Sequence, residues 1–376
     1  MRILLFGEYS GVHTFLAEGL RELGHEVTTA SNGDFWKNYP RDIDLKREDT
    51  LWGKLSFSMR LLMALPKMKG YDIVQLINPM FLELKAVKLF SIYDYLRKHN
   101  KKVVLCCMGN DYYYPKINSE LMPMRYSDYN IGKEKRCVDF AQQMYDDWVG
   151  TEKERLNRYI AADCDAIVAG AYEFWLPYSM TEDKSKDGKP LREKLHSIPF
   201  PYKLFDEVHP APSEKLRVFI GISKARSEFK GTDIMQKAAE DLQKKYPERI
   251  ELKIANGIPF AEYQNMMDNS DVLMDQIYAY GPGMNALLAL SKGIVCVSGA
   301  EPEHYNLLGE NDCRPIVNVQ PTYESVYKEL EELVLMPKDE LAKLKKESRD
   351  YVLRNHDYIK VAKEYEALYA SVLSLS

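Results

Sequence analysis

A chain of 376 residues is longer than one ordinary hydrophobic core accommodates, so we expect two domains. With 45% hydrophobic and 28% charged residues, the composition is typical of a soluble globular protein and argues against disorder. A net charge of −5 gives no global reason to expect a nucleic-acid partner.

The first half of the chain alternates short apolar runs with helical patterns. RILLF (2–6) predicts a buried strand, GEYSG (7–11) a glycine-rich loop, and the amphipathic run that ends at Gly24 a helix. This order is a Rossmann-like opening, although the loop is not a GxGxxG motif. Further strands are predicted at 25–31, 71–77, 101–108 and 164–170. Their β-branched residues favour a parallel sheet that is covered on both faces.

A proline-rich stretch, 198–215, precedes a second alternating series and is the best linker candidate. The second series has predicted strands at 216–223, 250–255, 270–276 and 293–299. The sequence therefore predicts an α/β fold of two Rossmann-like, doubly wound domains facing a cleft. We expect an N-terminal domain at 1–200, a C-terminal domain at 201–356, and a C-terminal helix, 357–376, that crosses back to the N-terminal domain.

Cysteine and histidine spacing gives no indication of a metal site. None of the six cysteines forms a CxxC pair, and the seven histidines show no ligand spacing. We therefore expect reduced thiols and no bound metal. The opening MRILLFGEYSG lacks the long apolar region of a signal peptide, and no run approaches membrane-spanning length. These features predict a cytoplasmic protein.

Three motifs lie in the second series: FIGISKARSEFKG (219–231), LKIANGIPF (252–260) and YGPGMNALLALSKG (280–293). Together with the two Rossmann-like halves, they resemble the GT-B glycosyltransferases over nearly the whole chain. Their order and spacing are similar to those of the retaining branch, which includes mannosyl- and glucosyltransferases and sucrose synthase. The resemblance implies a UDP- or GDP-sugar as the donor and no separate cofactor.

The resemblance also implies roles for individual residues of the donor site. Lys230 matches a lysine that binds the donor diphosphate, and either Lys224 or Arg226 matches its arginine partner. The nucleobase would be received by the loop residues Asn256, Gly257 and Ile258.

Elementary chemistry requires cations and oriented amides at such a site, because a nucleoside diphosphate leaves with several negative charges. Lys230 and Arg226 supply cations. The turn that starts the following helix supplies N–H groups and a helix dipole, through Gly281, Gly283, Met284 and Asn285. Taken alone, Lys230 is also explained as a solvated lysine, and Gly281 and Gly283 as a simple tight turn.

Two positions of the third motif depart from the family. Tyr280 and Leu288 stand where the family has paired glutamates, of which the first contacts the transferred sugar and the second the donor ribose. A tyrosine hydroxyl still forms hydrogen bonds, whereas leucine does not. The lost ribose contact costs roughly 1–3 kcal/mol of donor binding unless Asn285 or Glu301 replaces it.

The N-terminal half offers further candidates. VVLCCMGND (103–111) resembles a strand that ends His-Gly-x-Asp, but Met108 replaces the histidine. Asp111 either meets a sugar hydroxyl or caps the next helix. His13 resembles the acceptor-deprotonating base of inverting enzymes, and its alternative is a helix-start histidine without a catalytic role. The C-terminal motifs favour retention over inversion.

Acceptor binding is expected on the N-terminal half. The candidates are the loop Glu8–Gly11 and the aromatic stretch 110–130, whose Tyr112, Tyr113 and Tyr114 either stack on sugars or pack a long loop. The segment 51–70 contains cations but no acidic residue, and it suits either the inner surface of an anionic membrane or a core helix. Its cations are Lys54, Arg60, Lys67 and Lys69.

The leading hypothesis is a glycosyltransferase that moves a hexose from a nucleotide diphosphate sugar to a glycan or lipid-linked glycan. The alternative is a catalytically inactive GT-B domain that binds a nucleotide sugar or a partner. An epimerase on the same fold is a third reading, for which Glu301 and Glu303 are the clustered carboxylates of the signature segment.

Overall fold

A computed structural model describes residues 1–208, 210 and 213–374. The chain forms two compact units. Unit 1 contains Met1–Ile117, Met144–Pro201 and the chain from Tyr358 on, and unit 2 contains Asn118–Gln143 and Tyr202–Asp357. Within the expected linker, residues 209, 211 and 212 lie outside the described residues.

The strands are, in chain order, β1 (Arg2–Phe6), β2 (Glu26–Ser31), β3 (Ile43–Asp44), β4 (Ile73–Leu76), β5 (Lys102–Cys106), β6 (Asn130–Ile131), β7 (Glu134–Lys135), β8 (Ala166–Ala169), β9 (Leu195–Ser197), β10 (Leu216–Ile222), β11 (Ile250–Asn256), β12 (Val272–Met274), β13 (Val295–Ser298) and β14 (Val317–Asn318).

The α-helices are α1 (Val12–Glu22), α2 (Leu51–Ala64), α3 (Ala86–His99), α4 (Tyr113–Glu120), α5 (Asp139–Trp148), α6 (Glu152–Asp163), α7 (Tyr172–Met180), α8 (Ser227–Lys230), α9 (Thr232–Lys245), α10 (Phe260–Asp268), α11 (Met284–Ser291), α12 (Pro302–Leu308), α13 (Tyr323–Leu335), α14 (Lys338–Asn355) and α15 (Tyr358–Ser374). Short 3₁₀ turns lie at Phe35–Lys37, Leu65–Lys67, Leu191–Lys194 and Lys224–Arg226.

Unit 1 is built on a parallel sheet with the strand order β3-β2-β1-β4-β5-β8-β9. The apolar runs of its central strands are buried on both faces, as their lack of alternation predicted. Helix α15 packs on α1, and a Cβ placed on Gly19 would lie 2.4 Å from the carbonyl oxygen of Tyr358. Gly19 therefore lets two helices of unit 1 approach closely.

Unit 2 is built on a second parallel sheet, with the order β11-β10-β12-β13-β14. Its core is formed by fully buried strand residues, which include Val218, Ile220, Val272, Val295 and Val297. The prediction of an α/β fold with two Rossmann-like parallel sheets is confirmed.

The partition of the chain differs from the expected one in the segment Asn118–Gln143, which we call the inserted segment. It lies within the expected N-terminal domain by sequence but belongs to unit 2. The physical reason is that its aromatic and arginine side chains pack on residues that follow β10 and β12, among them Phe229, Tyr278 and Tyr280.

The described helices include none with the length and apolar character that a membrane crossing requires.

Candidate functional site

The candidate donor-site residues of unit 2 follow four strands that end at the same edge of the second sheet. Lys230 follows β10, the loop 256–258 ends β11, the turn 280–285 follows β12, and Glu301 follows β13. Ligands of open parallel α/β sheets bind outside the carboxyl ends of the strands. The topology of unit 2 therefore brings the candidates to one edge.

The turn 280–285 ends at the N-terminus of α11. Gly283 is the residue before the helix and, having no side chain, makes no side-chain cap to the first turn. A Cβ on Gly281 would lie 2.3 Å from Nδ1 of His304, so a residue larger than glycine would displace the histidine ring. Glycine is thus required here by packing, and the first turn provides the helix dipole that an anion needs.

Lys230 and Asn285 both lie beside Oδ1 of the buried carboxylate of Asp275. The Lys230 ammonium is 4.0 Å from Oδ1 of Asp275, and its side chain stays partly exposed. Asn285 donates from Nδ2 to the same Oδ1 at 3.0 Å and accepts from the Tyr263 hydroxyl at 3.1 Å. The structure thus groups Lys230 with the α11 turn around one carboxylate.

The other two predicted cations lie on the 3₁₀ turn that precedes α8. Lys224 is exposed, and the guanidinium of Arg226 lies 5.5 Å from the ring centre of Phe140, in the inserted segment. The predicted base-binding loop ends the edge strand, where Asn256 and Gly257 are exposed and Ile258 is half-buried. Gly257 has a φ of +65°, a left-handed conformation that favours glycine.

Tyr280 and Leu288, the two positions at which the resemblance implies glutamates, lie inside the fold. Tyr280 is 1% exposed, and its hydroxyl accepts a hydrogen bond from the Arg125 peptide N–H at 2.8 Å. Burial raises the pKa of Tyr280 to about 12. Leu288 is a buried residue of α11. Tyr280 thus anchors the inserted segment, and Leu288 is a core side chain.

Arg125 and Arg136 of the inserted segment were not among the sequence candidates, yet both reach this edge. Arg125 donates to Glu303 Oε1 at 2.8 Å and to Glu301 Oε2 at 2.5 Å. The Arg136 guanidinium lies 3.2 Å from the centre of the Tyr278 ring. The site of unit 2 therefore includes chain from outside the second alternating series.

In unit 1, Asp111 is a buried helix cap. It accepts from the peptide N–H of Tyr114 at 3.0 Å and from the hydroxyl of Tyr178 at 2.6 Å, and burial raises its pKa to about 6. Met108, which precedes it, is also buried. Of the two readings of Asp111, this geometry favours the helix cap over a sugar contact.

The three tyrosines after Asp111 are not an exposed aromatic platform. Tyr112, Tyr113 and Tyr114 are all buried, and the rings of Tyr113 and Tyr178 lie 4.4 Å apart. Of the two readings of these tyrosines, sugar stacking or packing, the burial favours packing, because the rings lie in the interior of unit 1.

His13 is buried beside the loop Glu8–Gly11. Its Nδ1 lies 2.8 Å from the Gly7 carbonyl oxygen, and its Nε2 lies 3.2 Å from Nε2 of Gln75. Because a carbonyl only accepts and an amide nitrogen only donates, the ring is neutral with its proton on Nδ1. Burial lowers its pKa to about 4. A role as acceptor base stays a prediction, and the geometry favours a structural one.

Glu8 binds the start of α1. Its carboxylate accepts from the peptide N–H groups of Gly11 and Thr14, at 3.0 and 2.8 Å, and from the Thr14 hydroxyl at 2.6 Å. The expected acceptor loop is thus tied by Glu8 to the start of α1.

In the part of the chain that the structure describes, no three His, Cys, Asp or Glu side chains form a group suited to a metal ion.

The sequence matches no protein-family model and no curated protein. Solved structures do match. HepE of Anabaena, in complex with UDP and glucose, is similar with a TM-score of 0.60 and 10% identity over 99% of this chain and 100% of that one. The sucrose-phosphate synthase of Thermosynechococcus elongatus is similar with a TM-score of 0.59 and 12% identity over 100% of both chains.

The catalytic domain of Arabidopsis thaliana starch synthase IV, bound to ADP and acarbose, gives a TM-score of 0.60 and 11% identity over 99% of both chains. These structural neighbours are GT-B glycosyltransferases. The fold is GT-B. At these identities the similarity concerns the fold alone, and any statement about the chemistry of this chain has to rest on its own residues.

Sequence reasoning missed Arg125 and Arg136 because an insertion in the first half of a GT-B chain was expected to serve the acceptor. The available signal was composition: the inserted segment combines aromatic residues with arginines, as interfaces between packed surfaces do. That signal does not say which unit the segment packs on.

Proposed function

We propose that the protein is a glycosyltransferase that moves a hexose from a nucleotide diphosphate sugar to a glycan or lipid-linked glycan. The observation that carries this proposal is the grouping of Lys230, Asn285 and the N-terminus of α11 at the carboxyl edge of the second sheet. HepE, with UDP and glucose, and starch synthase IV, with ADP and acarbose, support it as bound structures of the same fold.

In this mechanism the diphosphate lies against the α11 turn. Lys230 turns its ammonium from Asp275 to the phosphates, and the helix dipole stabilises the charge that develops as the glycosidic bond breaks. Arg226 is the second proposed cation. Because these groups neutralise the leaving diphosphate, the transfer proceeds without a bound metal.

The transfer proceeds with retention in this proposal. The leaving phosphate assists attack of the acceptor on the same face of the sugar, so the protein needs no side-chain nucleophile. The buried thioether of Met108 and the capping role of Asp111 are compatible with this scheme, since neither residue has to act as an acid or base. Inversion would instead require His13 to leave its hydrogen bonds with Gly7 and Gln75.

The experiment that tests the proposal is a thermal-shift and hydrolysis screen against UDP-, GDP-, ADP- and dTDP-glucose. Stabilisation by one nucleotide sugar, with slow hydrolysis of that sugar, is the expected result and identifies the base. Absence of a shift with all four at millimolar concentration contradicts the donor site.

The second candidate is an inactive GT-B domain that binds a nucleotide sugar or a partner. It is favoured by Tyr280 and Leu288, because neither residue carries a carboxylate and both side chains are buried. Stabilisation by a nucleotide sugar without hydrolysis, and without transfer to any added glycan acceptor, is the result that would favour this candidate in the same screen.

We also propose contact between α2 and an anionic membrane surface. The helix buries Phe57 and Leu61, yet exposes four large apolar side chains in a stripe on its other side. These are Trp52 (81% exposed), Met59 (57%), Leu62 (67%) and Met63 (62%). Of the predicted cations, the side chain of Lys54 lies outside the described residues.

Cosedimentation with phosphatidylcholine vesicles, with and without phosphatidylserine, tests the membrane proposal. We expect binding that requires the anionic lipid and a blue shift of Trp52 fluorescence, since the exposed stripe is apolar and the segment 51–70 contains four cations and no acidic residue. The variant Met59→Ser/Met63→Ser should lose binding, whereas Leu335→Ser/Leu353→Ser, which changes exposed apolar residues of unit 2, should retain it. Equal behaviour of the two variants contradicts the proposal.

A further inference from the structure

The inserted segment packs on the loops of unit 2 that carry the proposed diphosphate groups. Arg136 donates to the carbonyl oxygen of Glu228 at 2.5 Å and to that of Phe229 at 3.3 Å, directly before Lys230. The Phe140 ring lies 4.9 Å from the Phe229 ring. One end of the segment is therefore fixed beside Lys230.

The other end of the segment is fixed at Glu301 and Glu303, after β13. Arg125 holds both carboxylates, and the hydroxyl of Tyr126 donates to Oε1 of Glu301. The Tyr126 and Tyr280 rings lie 5.0 Å apart. Arg125 and Glu303 thus meet at the carboxyl end of β13.

The strand order places Arg125 and Glu303 at one end of the row of loops along which an extended ligand would lie. The loop 256–258 follows β11, Lys230 and the α11 turn follow β10 and β12, and Glu303 follows β13, which is the next strand along the sheet. Because neighbouring strands are about 4.8 Å apart, the edge from β11 to β13 spans about 14 Å. A nucleoside diphosphate sugar with its base at β11 and its phosphates at α11 extends its sugar toward β13.

Most polar groups near the end of β13 are already bound inside the protein. Tyr280 is buried under Arg125, and Glu301 is a buried carboxylate that also accepts from Gln320 at 2.7 Å. By contrast, the side chains of Arg125 and Glu303 are 54% and 31% exposed. These two groups form the accessible polar surface where the sugar would lie.

We infer that Arg125 and Glu303 bind the hydroxyl groups of the transferred sugar and select a neutral hexose. This inference rests on the proposed function. A carboxylate and a guanidinium held 2.8 Å apart offer an acceptor and donors to neighbouring hydroxyls. A uronate is disfavoured, because the single charge of Arg125 already faces the two carboxylates of Glu301 and Glu303.

The test compares a nucleoside diphosphate with its glucose ester by titration calorimetry. The wild type is first titrated with UDP, GDP, ADP and dTDP and with the four glucose esters. Arg125→Ala and Glu303→Gln are then measured with the pair that binds. We expect each variant to weaken the ester by about tenfold, or 1.4 kcal/mol, and to leave the diphosphate within about twofold of wild type.

Arg125→Ala keeps the peptide N–H that holds Tyr280, so the anchor of the inserted segment survives. Glu303→Gln keeps the side-chain size and provides a second measurement if the first variant unfolds. Arg125→Lys should restore part of the lost ester affinity, and Arg155→Ala, which breaks an exposed pair with Glu152, is the matched control. The wild type should bind the glucuronate ester more weakly than the glucose ester.

Equal losses for diphosphate and ester would mean that Arg125 only supports the fold, and unchanged binding of both would mean that the sugar lies elsewhere. Either result overturns the inference while the proposed function stands. A wild type that binds no diphosphate and no ester overturns both.

Discussion

The carboxyl edges of the two parallel sheets use their polar side chains differently. At the first sheet, His13 and Asp111 are buried, and each is held by hydrogen bonds within unit 1. At the second sheet, Lys230 and Glu303 stay partly exposed beside buried carboxylates. The same topological position thus serves cohesion in unit 1 and leaves charged side chains accessible to solvent in unit 2.

The largest effect is expected from removing the proposed diphosphate-binding cations of unit 2, Lys230 above all. Lys230→Ala should lower turnover by about 10²-fold, because it removes a charge that stabilises the leaving diphosphate. Arg226→Ala should lower turnover in the same direction. Both are measured as sugar transfer or hydrolysis at saturating donor, alongside the melting temperature.

Lys237→Ala is the matched control, since this exposed lysine of α9 pairs with Asp241. It should leave turnover unchanged. If Lys230→Ala behaves like Lys237→Ala, the second edge does not bind the diphosphate and the contrast between the two edges disappears.

The second effect concerns the pH dependence of stability in unit 1. Burial lowers the pKa of His13 from 6.5 to about 4, so the folded state favours the neutral ring. The free energy of unfolding that the neutral His13 ring contributes is fully present above pH 6.5, the pKa in the unfolded chain. It is lost as the pH falls from 6.5 toward 4, by about 3 kcal/mol in total. His13→Gln should remove this part of the pH dependence, as measured by urea unfolding between about pH 4 and 7.

Burial also lowers the pKa of His304, in unit 2, to about 3. Because His304 is present in the wild type and in His13→Gln alike, the difference between their curves of stability against pH reports on His13. Turnover of His13→Gln, measured near neutral pH, should persist. A loss of turnover at unchanged stability would instead make His13 the acceptor base and favour inversion.

The smallest effect is expected from the cap of α4. Asp111→Ala removes the acceptor for the Tyr114 N–H and for the Tyr178 hydroxyl, and it should lower the free energy of unfolding by about 1–2 kcal/mol. Nucleotide-sugar affinity should not change. Asp111→Asn, which keeps a capping oxygen, serves as the control, and weaker donor binding by Asp111→Ala at full stability would place Asp111 at the sugar.

The central strands of both sheets could be predicted from the sequence because they are continuous apolar runs. Short edge strands such as β3 and β14 were not predicted, since two-residue elements carry no periodic signal. Lys230, Asn285 and the α11 turn could be predicted as a group because strand order alone carries them to one edge. The role of Tyr112, Tyr113 and Tyr114 could not be predicted, since three consecutive tyrosines carry no pattern that distinguishes buried from exposed rings.

The sequence by itself determined two Rossmann-like sheets, because apolar periodicity is a local property, and its resemblance to GT-B enzymes implied the candidate diphosphate groups. Only the tertiary structure decided that the inserted segment joins unit 2 and that Tyr280 lies beneath Arg125. Hydrogen bonds between residues 155 positions apart leave no local pattern in the chain. They arise when packing brings distant groups together, and only then does Tyr280 become an anchor for the inserted segment.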